Sequence, residues 1–162
     1  AALDKNASVA AGSILVQNII AHIENPVDHI KITAAVVNEE LANEIVILDT
    51  VNQLRNRSKL ASHFFCAILN SRLMNWYVYR FIYAKAIRTM HFDRPVTSRI
   101  PVPRITGKNK GMYEEMMRAR SGSEAIEAAV YRLYGLSKGE VEVVESGMVR
   151  GNRTRPAGAG CL

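Results

Sequence analysis

The sequence predicts an α+β domain in which a small mixed or antiparallel sheet packs on one long helix, followed by a C-terminal helical pair. Apolar and polar residues alternate in the first third of the chain, and apolar residues then recur at helical spacing from about residue 59. The 48% hydrophobic content suits one globular core. We expect a domain at 13–147, a flexible lead-in at 1–12, and a basic Gly/Pro-rich tail at 148–162.

Three strands are predicted in residues 14–52. The first, at 14–23, is apolar on both faces, as in a strand buried on both sides. The second, at 29–37, alternates, with one apolar face made of Ile30, Ile32, Ala34 and Val36. The third, at 44–52, is rich in β-branched residues. Because the three follow one another closely, we expect an antiparallel meander.

One long helix is predicted over residues 59–85, with Ser58 as its N-cap and a kink near Asn70 and Ser71. Its dense aromatic residues are at helical spacing, which favours a role in the core over a stacking surface. Residues 86–105 contain three prolines, so we expect no helix there. Within them, residues 99–105 are predicted to be an edge strand or an extended segment.

Two further helices are expected at 112–120 and 124–134, separated by a break at 121–123. Gly135 followed by apolar Leu136 predicts a Schellman ending for the second of them. Ser137 and Glu140 stand at the spacing of a capping box. They therefore predict a last short helix, which Gly147 ends.

Positive charge is concentrated in the middle of the chain. Residues 51–111 hold twelve basic residues against one acid and carry +11, whereas residues 1–50 carry −5 and residues 112–149 carry −3. A field of one sign repels itself and opposes compaction, so solubility alone does not account for it. The charge distribution predicts a polyanionic partner, most commonly nucleic acid. We expect these cations to converge in one groove wide enough for a double helix.

Several functional classes find no support in the residues. No apolar run reaches the ~18 residues that a membrane span needs, so we expect no membrane partner. Cys66 and Cys161 fit a reducing, cytoplasmic compartment and belong to no metal-ligand set. Phosphate-loop, dinucleotide-binding, zinc-protease and nucleophile-elbow motifs are missing. We therefore predict a non-catalytic chain without a metal or cofactor of its own.

Two basic segments hold the candidate DNA contacts. The first lies where the long helix is predicted to begin, because unpaired backbone N–H groups there would hold a phosphate. The second interleaves basic residues with Met90 and Phe92, as base contact and stacking require. The predicted phosphate contacts are Arg55, Arg57, Lys59, Arg88, Arg94, Arg99, Arg104, Lys108 and Lys110. The predicted base readers are Asn52, Gln53, Arg57, His91 and Arg94.

Each segment has an alternative interpretation without a ligand. The first can be a solvated loop. In the second, Phe92 can fill the core while the arginines are simply exposed. The concentration of charge favours the DNA contacts over both alternatives.

Three motifs follow one another along the chain: Ala67-Ile-Leu-Asn-Ser-Arg-Leu-Met-Asn-Trp-Tyr77, Arg99-Ile-Pro-Val-Pro103 and Val130-Tyr-Arg-Leu-Tyr-Gly-Leu-Ser-Lys-Gly-Glu-Val-Glu-Val-Val-Glu145. The predicted strand Ile14-Leu-Val-Gln17 precedes them. In this order they resemble the TaqI-like C-terminal specificity domain. That domain is the target recognition part of adenine-specific DNA methyltransferases and type II restriction–modification enzymes. The resemblance covers roughly residues 13–145.

The resemblance implies sequence-specific binding of double-stranded DNA in the major groove. Catalysis and S-adenosylmethionine would belong to an N-terminal methyltransferase domain or subunit that partners this chain. The start at Ala1 without Met is expected of a specificity domain taken from a longer protein. The alternative function is a protein-interaction module of a restriction–modification complex. Such a module would dock an acidic partner surface, or form a homodimer through residues 100–105 or the aromatic helix.

Overall fold

The computed structural model describes residues 8–42, 44–58, 60–119 and 123–148. Helices and small antiparallel sheets make the chain an α+β protein, which confirms the predicted fold class. One apolar core runs from the sheets through the helices, and its fully buried members include Phe64, Phe92 and Met116. None of the helices in the described ranges is long and apolar enough to cross a membrane.

The largest sheet has three strands and places β1 (Ile14–Gln17) between β5 (Ala34–Val36) and β6 (Val51–Leu54). Both pairings are antiparallel, and Val16 lies opposite Ala34 on one side and Asn52 on the other. The predicted meander is wrong, because the first strand lies between the other two. Ile14 and Val16 are buried, and they fix the face of the sheet that packs on the core.

The predicted single strand at 14–23 is three short strands, each with partners of its own. After β1, the segment β2 (Ile19–Ile20) pairs with β7 (Met90–His91), and β3 (His22–Ile23) pairs with β4 (His29–Ile30). All these pairings are antiparallel. Residues 14–23 are therefore apolar on both faces because the chain passes from one small sheet to the next, and not because one strand is buried on both sides.

The second predicted strand is interrupted, although its alternation is confirmed. Ile30, Ile32 and Ala34 are buried, whereas Lys31 and Thr33 are exposed. The third prediction, at 44–52, is displaced, since the strand is β6 and starts at Val51. The preceding β-branched residues Ile45 and Ile47 instead pack on a small satellite cluster formed by Val9, Val37 and Ala42, next to α1 (Glu39–Ala42).

Part of the predicted lead-in belongs to the fold. Val9 is buried, Ser8 forms a bridge with Val46, and the Gly12 N–H donates to the Val37 carbonyl at 2.8 Å. Residues 1–7 lie outside the described ranges, as does the predicted tail after Met148.

The predicted long helix is broken into three pieces. These are α2 (Ser62–Asn70), α3 (Arg72–Tyr77) and a π-helix (Val78–Ile82). Ser71 is extended (φ −68°, ψ 152°) and caps α3, since its hydroxyl accepts the Met74 N–H. The predicted kink is therefore a complete break at this residue.

Ser58 is not the N-cap, because α2 begins four residues later. The Ser58 hydroxyl donates to Asn56 Oδ1 at 2.8 Å and accepts the Leu60 N–H at 3.1 Å. Serine and asparagine form such local turns in competition with helix starts. A good capping residue therefore stabilises a loop here.

Two asparagines join the broken helix to the sheet. The side-chain amide of Asn70 donates to the Ala34 carbonyl at 2.8 Å and accepts the Ala34 N–H at 2.9 Å, as a neighbouring strand would. Asn75 is 3% exposed, and its Oδ1 accepts the Ile32 N–H at 2.5 Å. These bonds satisfy backbone groups at the edge of the sheet that β1 does not reach.

The basic segment contains a short helix that the prolines argued against. This helix, α4 (Arg94–Thr97), carries Pro95 in its first turn. Proline is tolerated there because a first-turn N–H has no intrahelical acceptor. Residues 101–106 have no regular secondary structure, so the extended segment predicted at 99–105 is not an edge strand.

The C-terminal helices follow the prediction closely. They are α5 (Lys110–Arg118), α6 (Glu124–Leu133) and α7 (Lys138–Ser146). Gly135 has φ +72°; its N–H donates to the Arg132 carbonyl and the Leu136 N–H to the Tyr131 carbonyl, both at 3.0 Å. This is the predicted Schellman ending. The capping box of Ser137 and Glu140 is also present.

Replacing Gly147 with Ala is expected to lower the free energy of unfolding by about 1–3 kcal/mol, the usual cost of overpacking. The new Cβ would lie 2.7 Å from Arg80 Nη2 and 2.9 Å from the Trp76 ring. The guanidinium carbon of Arg80 lies 5.3 Å from the centroid of the Trp76 ring, so the new Cβ would disturb this packed pair. Gly139→Ala is the matched control, since no atom of the described residues lies within 4 Å of its Cβ and Ala favours the helix by up to about 1 kcal/mol. Urea denaturation giving equal changes for both variants would contradict this packing.

Candidate nucleic-acid interface

A groove of about 990 Å³ opens where β6 and the loop after it face α4. It brings together five predicted contact residues from two parts of the chain: Asn52, Gln53, Arg55, Arg57 and Arg94. Its other lining residues are Ile47, Leu48, Asp49, Val51, Leu54, Phe92, Asp93 and Thr97.

Asn52 joins the two sides of this groove. Its side-chain Nδ2 donates to Asn18 Oδ1 at 3.0 Å and to the Phe92 carbonyl at 2.8 Å. Phe92 is 0% exposed, and its own N–H donates to the Asn18 carbonyl at 2.7 Å. The buried ring anchors the segment that leads into α4, and Arg94 is thereby held on the same groove as Arg55 and Arg57.

A further hydrogen bond holds β7, the strand that precedes α4. The Tyr83 hydroxyl donates to the His91 carbonyl at 2.9 Å, and burial raises the pKa of Tyr83 to about 12. Tyr83 therefore stays a neutral donor at physiological pH. This bond ties β7 to the segment that follows the π-helix.

The three groove arginines are exposed and available to an anion. Arg55 Nε donates to Gln53 Oε1 at 3.1 Å, and Gln53 Nε2 donates to the Ser8 carbonyl at 3.0 Å. Within the part of the chain that the structure describes, no ion pair involves Arg55, Arg57 or Arg94. Asp49 and Asp93 also line the groove, so its described charges are three positive and two negative.

The remaining predicted contacts lie outside the groove lining. Arg88, His91, Arg104 and Lys108 are exposed elsewhere. Arg99 Nη2 donates to the Phe81 carbonyl at 3.2 Å, and Lys110 Nζ lies 3.7 Å from Glu114 Oε1. Lys59 lies outside the described residues. The expected convergence of all the cations is therefore limited, in the described residues, to three arginines.

Two details of the predicted site are wrong. No helix begins beside Arg55 and Arg57, because α2 starts at Ser62, so backbone N–H groups of a helix terminus do not assist these arginines. Phe92 and Met90 are buried, so neither can stack on a base. The alternative in which Phe92 fills the core is the observed one.

Sequence patterns missed several groove residues. Leu48 is largely exposed and lies with Ile47 and Asp49 at the groove, although residues 44–52 were predicted to be a strand. Thr97 lies there because α4 forms in a segment where no helix was predicted. No local pattern distinguishes these residues.

Several groups with shifted pKa values lie away from the groove, where α3 meets α6 and α7. Arg72 Nη1 lies 2.6 Å from Glu145 Oε1, which also accepts the Tyr131 hydroxyl at 2.7 Å. The Arg72 N–H donates to Glu127 at 3.0 Å. Burial raises the pKa of Glu127, and burial together with the bond to Glu145 raises the pKa of Tyr131. Shifted pKa values occur in structural hydrogen-bond networks as well as in functional sites. This network joins the three helices α3, α6 and α7.

No group of three or more His, Cys, Asp or Glu residues in the described ranges is arranged to hold a metal ion. Comparison of the chain with protein-family models, with curated proteins and with solved structures finds no match.

Proposed function

We propose that the chain binds double-stranded DNA through this groove and selects the target of an adenine-specific methyltransferase or restriction–modification enzyme. One observation carries the proposal: Arg55 and Arg57 from the loop after β6 and Arg94 from α4 line one groove and form no ion pair with any described carboxylate. Guanidinium groups are suited to phosphate and to guanine edges.

The residues of the groove support different roles in this proposal. Arg55 and Arg57 are assigned to phosphates, and Arg94 to a phosphate or a base edge. Both amide hydrogens of Asn52 are donated within the protein, so a base could reach Asn52 only through Oδ1. Asp49 and Asp93 can accept from a cytosine amino group, and they would disfavour a continuous phosphate track along the whole groove.

The parent enzyme is inferred from the three motifs that resemble the TaqI-like specificity domain. On that basis, S-adenosylmethionine and the chemistry belong to a separate methyltransferase domain or subunit, and the chain works in the cytoplasm. Asn70 and Asn75 of the first motif hold the helix break against the sheet, and Ser71 caps the helix that follows the break. These three residues therefore have a structural role.

The salt dependence of duplex binding tests the proposal. Binding of a fluorescent duplex, followed by anisotropy, is expected to give a log–log salt slope of about −2 to −3, because three groove arginines are exposed and Arg94 is assigned to a phosphate or a base edge. Replacing Arg55, Arg57 and Arg94 together with Ala removes these contacts and should bring the slope close to zero.

The matched control replaces three exposed cations outside the groove lining, namely Lys31, Arg118 and Lys138, with Ala. Both triple variants lose the same formal charge, so only the groove variant should change the slope. A wild-type slope near zero, or an equal change in both variants, would count against DNA binding at this groove. Selection from a random-duplex pool should also yield one consensus, because a target reader discriminates bases.

A further inference from the structure

A second, apolar cleft of about 250 Å³ adjoins the groove. The two share Leu54, Arg55, Arg57 and Thr97. Ile14, Ile68 and Leu69 are buried beneath the second cleft, and its sides are made by residues that include Phe65, Ile100 and Val102. The proline-rich segment 99–105, which no strand covers, therefore forms one side of an apolar depression.

The size of this cleft limits what it can hold. Small-molecule and cofactor sites usually measure about 300–1,000 Å³. A cleft of about 250 Å³ is smaller, and it matches one or two bulky apolar side chains. Pockets of this kind receive the anchor residues of protein–protein interfaces.

The charges around the cleft limit the occupant further. Arg55 and Arg57 are exposed beside the apolar floor, and no carboxylate is among the described residues that line it. In this respect it differs from the groove, where Asp49 and Asp93 lie. A sugar–phosphate backbone would satisfy the arginines but would leave the apolar floor without a partner.

We propose that this cleft is a docking site for an acidic protein segment that inserts one bulky apolar side chain between Phe65, Ile100 and Val102. Carboxylates on either side of the inserted residue pair with Arg55 and Arg57. The floor supplies most of the affinity, while the arginines select acidic flanks. Because the same arginines line both clefts, the segment would compete with the DNA proposed above.

The docking site is tested without DNA, so its failure is distinguishable from failure of the DNA proposal. The probes are acidic heptapeptides of the form Asp-Glu-Asp-X-Glu-Asp-Glu, with Leu, Ile, Met, Phe or Trp at X, and a matched peptide with Ser at X. They are titrated into the ¹⁵N-labelled full chain. We expect at least one apolar peptide to shift the amide resonances of Phe65, Leu69 and Ile100, and the Ser peptide to leave them in place.

Val102→Asp should weaken binding of that peptide by at least about tenfold, because it places a like charge beside the peptide and removes apolar contact. Val102 is 47% exposed in an irregular segment, so the amide spectrum should otherwise be retained. Val143→Asp is the matched control, since Val143 is 55% exposed on α7. The proposal is overturned if every apolar peptide behaves like the Ser peptide, or if both Asp variants bind equally well.

Discussion

Replacing Asn75 with Ala is expected to lower the free energy of unfolding by about 3 kcal/mol, among the larger costs for a single substitution. Asn75 is 3% exposed, and the variant leaves the Ile32 N–H without its acceptor, whereas the Ser71 carbonyl loses the side-chain donor at 2.8 Å and keeps the backbone N–H of residue 75 at 3.1 Å. The Ile32 N–H is then buried without this acceptor, and the lost side-chain volume adds a cavity cost. Urea denaturation at neutral pH measures the change.

Asn109→Ala is the matched control for burial. Asn109 also accepts one backbone N–H, from Thr106 at 2.7 Å, and donates to one carbonyl, that of Arg104 at 3.0 Å. These bonds lie at an exposed turn, so water replaces them and the expected loss is about 1 kcal/mol or less. Equal losses in the two variants would show that Asn75 does not act through buried hydrogen bonds.

Asn75 also illustrates which features a sequence can reveal. The Schellman ending at Gly135 and the capping box at Ser137 were predicted correctly because each depends on residues a few positions apart. The partner of Asn75 is Ile32, which is 43 positions away. Nothing local distinguishes an asparagine that bonds a distant strand from one exposed on a helix.

The strand errors have a related cause. An apolar run shows that residues 14–23 are buried, but it does not show what buries them. Three short strands with different partners produce the same pattern as one doubly covered strand. Likewise, serine stabilises helix starts and local turns alike, so Ser58 fits the prediction of an N-cap as well as it fits a turn. The hydrogen bond from its hydroxyl to Asn56 Oδ1 makes it part of a turn.

The sequence predicts which charged residues belong to the candidate site, but it does not predict how they are arranged in space. The excess of cations predicts Arg55, Arg57 and Arg94 among the candidate contacts, and these three line the groove. Their convergence depends on the bond from Asn52 to the Phe92 carbonyl, 40 positions away, and on burial of the Phe92 ring. Charge spacing along the sequence carries no information about either.

Glu127 is the one acid buried in the described helices, and its removal should be costly and dependent on pH. It is 7% exposed and accepts the Arg72 N–H at 3.0 Å, at the start of α3. Glu127→Ala leaves that partly buried N–H without its acceptor, so we expect a loss of about 1–3 kcal/mol in the free energy of unfolding. Glu127→Gln keeps an acceptor for the Arg72 N–H but has no titratable carboxyl group. Comparison with wild type therefore isolates the effect of protonating Glu127 on stability.

The free-energy difference between wild type and Glu127→Gln should shift in favour of wild type as pH falls from about 8 to about 4. Burial raises the pKa of Glu127, partly offset by the Arg72 N–H, so the folded chain takes up a proton before the unfolded chain does. That stabilisation is complete below the unfolded pKa and is lost as pH rises through the folded pKa. Urea denaturation of both proteins at several pH values measures it.

Glu140→Gln should give the opposite trend and serves as the internal control. The Ser137 hydroxyl and N–H, each at 2.7 Å, lower the pKa of Glu140. The wild-type advantage over this variant should therefore be present above the unfolded pKa and disappear as pH falls through the folded pKa. If the free-energy difference from wild type changed with pH in the same direction for both variants, the loss of one negative charge would explain both results. The different environments of the two carboxylates would then not be their cause.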